Sequence, residues 1–223
     1  MKHILICGAK GVGKSTLIRK LCMAANAPIY GYCTKMLSTA DADGLFPIYI
    51  HPARQTEAER TYGSANLIGR CDICIRDVYT NVFNTLGAEY ITAVKPGGYI
   101  IMDELGFMEK DAEKFKRAVF NALDGDIPVI AAVKARYDVD FLNRIRAHEK
   151  AQLYTITPEN RDALYAVRPV FYCYQPRGVN VFLLFVYKAQ RVPAHVPNGR
   201  AHTLIFPHEF GYCLRCHVSP QRG

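Results

Sequence analysis

Apolar positions over the first 167 residues of this chain come alternately as short unbroken runs and as helical stripes. His3-Ile4-Leu5-Ile6-Cys7 is a run of the kind buried on both faces of a sheet, and it predicts a strand. A glycine-rich turn follows over 8–13. Leu17, Ile18 and Leu21 then recur on one side of a helical pattern, with Arg19 and Lys20 on the other, until Asn26-Ala27-Pro28 ends it. Further strands are predicted at 29–34 and 45–51, the second near a sheet edge because Pro47 has no N–H to give a ladder. The polar stretch 52–64 reads as loop. Residues 77–95 carry Val78, Val82, Phe83, Leu86, Tyr90, Ile91 and Val94 at helical spacing, with Gly87 as a point of division. Tyr99-Ile100-Ile101-Met102 predicts a buried parallel strand that ends in Asp103-Glu104. An amphipathic helix is predicted over 109–123, a strand over 127–133, a helix over 138–148 and a strand over 152–156. Thr157-Pro158-Glu159 has the order of a cap, a first-position proline and a first-turn acid, so a helix over 158–167 is expected.

Strands alternating with helices predict an α/β fold, a mostly parallel sheet with helices on both faces. After Arg168 the alternation dissolves, leaving one strand-like run at 179–187. The chain therefore divides into a domain over 1–167 and an extension over 168–223. Half the residues are apolar and 22% are charged, a globular composition. The longest apolar run, Val181 to Tyr187, is far short of the ~20 residues of a membrane helix, so no membrane span is expected. The N-terminal apolar stretch is too short for a signal peptide, and a cytoplasmic chain is expected.

The net charge of +8 changes meaning when it is located. The first 167 residues are nearly balanced, with 21 basic and 19 acidic side chains. The extension carries seven basic residues, one acid and six of the 12 prolines. Its positive charges are scattered rather than clustered, which favours a basic tail over a nucleic-acid site. Eight cysteines in such a chain read as reduced thiols, with Cys7, Cys22 and Cys33 as small core residues. The pairs Cys71/Cys74 and Cys213/Cys216 have CxxC spacing, but most of the chain separates them, unlike a compact zinc ribbon. Cys213 to His217 spells the haem-attachment order CxxCH, which needs an exported chain, so a chance match is the preferred reading. His51 and His148 read as surface or partly packed residues, not ligands.

Gly8-Ala9-Lys10-Gly11-Val12-Gly13-Lys14-Ser15 matches GxxxxGK[ST] in full, between a predicted strand and a predicted helix. Glycines let the backbone curl so that successive N–H groups surround a phosphate, and the helix N-terminus adds partial positive charge. Lys14 is placed to reach the β- and γ-phosphates and the Ser15 hydroxyl to coordinate Mg²⁺. The second half of such a site is an acid at the end of a neighbouring buried strand. Asp103 supplies it as a Mg²⁺ partner, and Glu104 is placed to orient and deprotonate an attacking water.

Asp103-Glu104-Leu105-Gly106-Phe107-Met108-Glu109 resembles the DE-[IL]-G-x-M-E signature of the P-loop nucleoside-triphosphatase family of thermophilic bacteria and archaea. Tyr30-Gly31-Tyr32-Cys33-Thr34 is similar to that family's GF-x-T strand, and Thr157 to Asp162 to its T-x-x-NR-[DN] segment. The resemblance covers about residues 1–167. It implies slow, Mg²⁺-dependent removal of the terminal phosphate from ATP, GTP and other nucleoside triphosphates. Around Asp41 to Pro47 only a weak echo of the family's R-x-GF stretch remains, and the extension has no counterpart in the family. Arg161 is a candidate for stabilising charge in the transition state. Two other readings stay open. One is a nucleotide or small-molecule kinase, with Arg136, Arg144 and Arg146 as candidates for a lid. The other is a nucleotide-dependent adaptor. A guanine-specific switch is disfavoured because no N-K-x-D motif is present.

Overall fold

A computed structural model of the chain describes residues 3–25 and 27–166. The extension from 168, with its predicted strand at 179–187, its basic charge and the motif from Cys213 to His217, lies outside the described residues. The strands are β1 (His3–Gly8), β2 (Ile29–Met36), β3 (Phe46–Pro52), β4 (Leu67–Cys71), β5 (Ile75–Val78), β6 (Tyr99–Leu105), β7 (Val129–Lys134) and β8 (Ala151–Thr155). They form one sheet in the order β5-β4-β3-β2-β6-β7-β1-β8. From β2 to β8 the pairing is parallel, while β3, β4 and β5 are added to β2 as an antiparallel meander.

The apolar runs explain the layering. Neighbouring residues of β6 point to opposite faces, so the strand feeds two cores. Ile100 and Met102 pack with Phe115, Val119, Leu142 and Ile145, beneath α3 (Ala88–Thr92), α4 (Glu113–Asp124) and α5 (Asp140–Arg146). Tyr99 and Ile101 pack with Leu17, Ile18, Leu21 and Leu164, beneath α1 (Lys14–Ala25) and α6 (Arg161–Ala166). Helices thus cover both faces, as the alternation predicts. Among the described residues no helix is long and apolar enough to cross a membrane.

A buried histidine ties these layers together. His3, 1% exposed, accepts the Val129 N–H at Nδ1, so its neutral ring donates from Nε2 to the Leu123 carbonyl at 2.8 Å. Burial holds its pKa below the ordinary value, which suits that neutral form.

Two expectations need correction. β3 is internal, flanked by β2 and β4. Pro47 is tolerated because it sits at the end of the β2–β3 ladder, where its carbonyl still accepts the Leu37 N–H at 2.9 Å. The segment 77–95 is not one helix divided at Gly87. It begins within β5, turns helical at α2 (Thr80–Val82), widens into a π-type turn (Phe83–Gly87) and continues into α3. Gly87 is there for space, because a Cβ would lie 2.8 Å from the Phe115 ring. Cys71 and Cys74 flank a hairpin turn. Asp72 donates its N–H to the Cys74 carbonyl and accepts the Cys74 N–H at Oδ1. Cys71 is buried, its thiol 3.4 Å from the Met36 sulfur, and Cys74 is exposed.

Where β2 crosses from the parallel to the antiparallel half it carries Gly31 at φ +87°. A Cβ there would stand 2.0 Å from the Ile101 carbonyl oxygen. Gly31→Ala is therefore expected to destabilise the domain by about 3 kcal/mol or more, read as a lowered urea midpoint. An unchanged midpoint would mean that β2 and β6 are not held this closely.

Candidate active site

The phosphate loop grows from the end of β1. Gly8, Gly11 and Gly13 take positive φ, which curls the chain back toward α1. Val12, 6% exposed, anchors the loop in the core beside Leu17 and Ile156. Ala9, Lys10 and Gly11 are exposed on its outer side, Ser15 is exposed and Thr16 is half-buried. Lys14 opens α1 and is only 8% exposed, so its charge needs oxygens. Its Nζ donates to the carbonyls of Gly8 and Ala9, both at 3.0 Å, and lies 3.3 Å from Glu104 Oε1. Ser15 Oγ donates to Asp103 Oδ1 at 3.0 Å. The two motifs are 88 residues apart in the chain and meet through these two contacts.

Burial is the largest influence on Asp103 and raises its pKa to about 6. The Ser15 hydrogen bond opposes that rise, Glu104 adds to it, and Lys14 and Arg60 counter it. A hydroxyl and a carboxylate this close are hard oxygen donors of the kind Mg²⁺ takes. That ion asks for few protein ligands because phosphates and waters complete its shell.

The rest of the signature shapes the turn after β6. Glu109, 3% exposed, accepts the Gly106 N–H at 3.1 Å and closes the turn. Burial pushes its carboxyl to about 7, against the pull of Lys134. Met108 fills the core, its methyl 2.6 Å from where a Cβ on Gly69 would lie. Lys134 and Arg136 stack on Phe107, each 5.1 Å from the ring centre.

Across β6 from the phosphate loop, the segment 53–66 covers β2 and β3. Cys33 of β2 is the register partner of Asp103 on one side and of His51 on the other. Arg60 places Nη2 3.2 Å from Cys33 Sγ and Nη1 2.6 Å from Glu57. Glu57 also pairs with Lys35 and accepts the Tyr62 hydroxyl. His51 is 1% exposed, against the surface or partly packed position expected of it, and lies edge-on to Tyr62 at 5.1 Å. Nothing in the residue spacing marks this convergence. Its one sequence signal is the aromatic and basic content of a stretch that otherwise reads as loop.

Other candidates are engaged elsewhere. Arg161 is exposed, its Nε 3.5 Å from Asp162, on a helix whose Leu164 packs toward α1. Arg136 holds Asp138 through two nitrogens, Arg144 lies over Phe120, and Arg146 donates to the carbonyls of Lys134 and Arg136. These three arginines fix the ends of α5 and its neighbours. His148 pairs with Asp124 at 3.1 Å.

A family model described as NTPase matches residues 3–167. The chain is 30% identical over 163 residues to the nucleoside-triphosphatase THEP1 of Thermotoga petrophila, covering 72% of this chain and 87% of that one. It is 29% identical over 168 residues to the nucleoside-triphosphatase THEP1 of Methanocaldococcus jannaschii, covering 73% and 92%. The crystal structure of THEP1 from the hyperthermophile Aquifex aeolicus shares the fold, with a TM-score of 0.59 and 23% identity over 74% of this chain and 95% of that one.

Glu109 sets a pH dependence whose sign is fixed. Its folded pKa of about 7 stands above its ordinary value of 4.5, so the folded chain holds the extra proton between them. Stability should fall as pH rises from about 4.5 to 7 and level off above. Glu109→Gln should flatten that part of the curve in urea unfolding across the range, and an identical slope would remove Glu109 as its source.

Proposed function

The chain belongs to the NTPase family, and we propose that it is a Mg²⁺-dependent phosphohydrolase taking the terminal phosphate from ATP, GTP and further nucleoside triphosphates. The observation that carries this reading is the double junction of Lys14 with Glu104 and of Ser15 with Asp103. It gathers a phosphate-binding cation, a hard-oxygen pair and a carboxylate base at the mouth of one loop. The name borne by the relatives, nucleoside-triphosphatase, specifies no single base.

In this reading the loop over Gly8 to Thr16 and the start of α1 offer backbone N–H groups to the β- and γ-phosphates. Lys14 exchanges its carbonyl partners for phosphate oxygens. Ser15 and Asp103 would hold a Mg²⁺ ion, which would supply charge neutralisation for the phosphates. Glu104 orients a water in line with the bond that breaks and accepts its proton. The water oxygen bonds to the γ-phosphorus, the bond to the bridging oxygen breaks, and a nucleoside diphosphate and inorganic phosphate leave. Arg161, paired with Asp162 at the surface, receives no step. The buried thiols of Cys7 and Cys71, packed as apolar groups, suit the reducing cytoplasm.

The test is phosphate release from ATP, GTP, CTP and UTP with Mg²⁺, comparing the intact chain with Glu104→Ala. Release from several nucleotides is expected, with a loss on the order of 100-fold or more in the variant and nucleotide binding retained. Nucleotide bound without release of free phosphate would sink the proposal. A phosphorylated acceptor would then point to a kinase, and binding without turnover to an adaptor.

A further inference from the structure

We propose that Arg60 donates to the γ-phosphoryl oxygens during hydrolysis, approaching from the side of the site opposite the phosphate loop. The proposal rests on the phosphohydrolase reading above and names a further residue of that site.

The first argument is where Arg60 stands. In the strand order β2-β6-β7-β1, the phosphate loop follows β1 and the acidic pair ends β6. β2 flanks β6 on the other side, and Arg60 lies on its Cys33. Cys33 and Asp103 are register partners on adjacent strands, about 5 Å apart. A phosphoryl group held between Lys14 and Glu104 therefore has one cation on the loop side and Arg60 on the other.

The second argument is how poorly the guanidinium is satisfied. Its side chain is 16% exposed. Its Nη2 rests on a thiol sulfur, a weak acceptor. Its Nη1 is held by Glu57, which is 61% exposed. Its Nε is buried without a partner. Among the described residues one other buried side-chain nitrogen lacks a partner, His51 Nε2, and it belongs to the same cluster. Burial first, then the charge of Arg60, holds His51 below its ordinary pKa, so the imidazole supplies no competing cation. A buried donor without an acceptor costs free energy that an incoming oxygen returns. Two such atoms cluster around Cys33, the strand neighbour of Asp103, and mark a place built for a ligand with several acceptor oxygens. In the step itself Arg60 stays protonated, exchanging Cys33 and Glu57 for equatorial oxygens as charge builds on them.

The competing explanation is that Arg60 only pins the segment 53–66 to β2. The experiment measures kcat and KM for phosphate release from MgATP by the intact chain, Arg60→Ala and Arg60→Lys. It also measures affinity for MgADP with and without aluminium fluoride. The intact chain should hydrolyse ATP and bind MgADP more tightly with fluoride present. Arg60→Ala should lose on the order of 10³-fold in kcat. Its affinity for MgADP alone should stay within about threefold, and the gain from fluoride should vanish. Added guanidinium should restore part of the rate. If Arg60→Ala keeps its kcat, or loses affinity for both complexes equally along with melting temperature, the proposal is overturned. Should Arg60→Ala not fold, Arg60→Lys decides, since it keeps the stem and charge but not the fork. Loss of the fluoride gain supports the proposal and an unchanged kcat ends it. An intact chain without any phosphate release would sink the phosphohydrolase reading, and this proposal with it, whereas hydrolysis unaffected at Arg60 would sink this proposal alone.

Discussion

Asp103 and Glu104 are neighbouring carboxylates at the end of an apolar strand, and burial works against the charge of Asp103. Left alone they would repel each other. Lys14 and Ser15 each take one of them, at 3.3 and 3.0 Å, and so tie β6 to the loop after β1. The tie also settles the lysine, which is more buried than either carboxylate and would otherwise be an uncompensated charge. The geometry of the site depends on this mutual need. The loop cannot move from β6 without exposing two carboxylates to each other, and β6 cannot shift without stranding the lysine.

Around that junction the fold has two halves of different character. The parallel strands are secured by continuous apolar contacts on both faces. The antiparallel meander is thinner and leans on charge. Arg70 of β4 is gripped by Asp77 of β5 at 2.6 Å and by Asp43 and Asp41 of the β2–β3 connection at 2.6 and 3.2 Å. Asp41 in turn accepts the N–H groups of Asp43 and Leu45, which closes the turn between β2 and β3. These pairs are partly exposed, so each contributes modestly and mainly fixes register. β2 is the seam. It carries the site side of one half and the register of the other.

What could be read from the sequence follows from how local its causes are. The phosphate loop is written in eight consecutive residues, and its flanking strand and helix announce themselves by period. The parallel strands were legible because burial on both faces leaves an unbroken apolar run. β4 and β5 were not, since Leu67-Ile68-Gly69-Arg70-Cys71 and Ile75-Arg76-Asp77-Val78 are short and mix glycine with charge. Segment 77–95 has helical spacing throughout, yet its first residues are claimed by the ladder to β4. At the site, Asp103 and Glu104 were legible as an acid pair after an apolar run. The structural part of Glu109, which closes the turn on the Gly106 N–H, was not, because a buried carboxylate looks like any surface acid in a sequence. The cluster of Cys33, His51 and Arg60 was hidden because three separate stretches supply it.

Among the described residues the sheet ends at β5 on one side and β8 on the other. An open edge is a template on which a second chain can add strands and begin to aggregate. β5 is only four residues long. Arg76, exposed and bound to Asp72, and Asp77, bound to Arg70, put fixed charge along it. A strand arriving from another molecule would find few backbone groups to pair with and would have to accommodate both ion pairs. The charges that hold the meander's register therefore also limit its growth on this side.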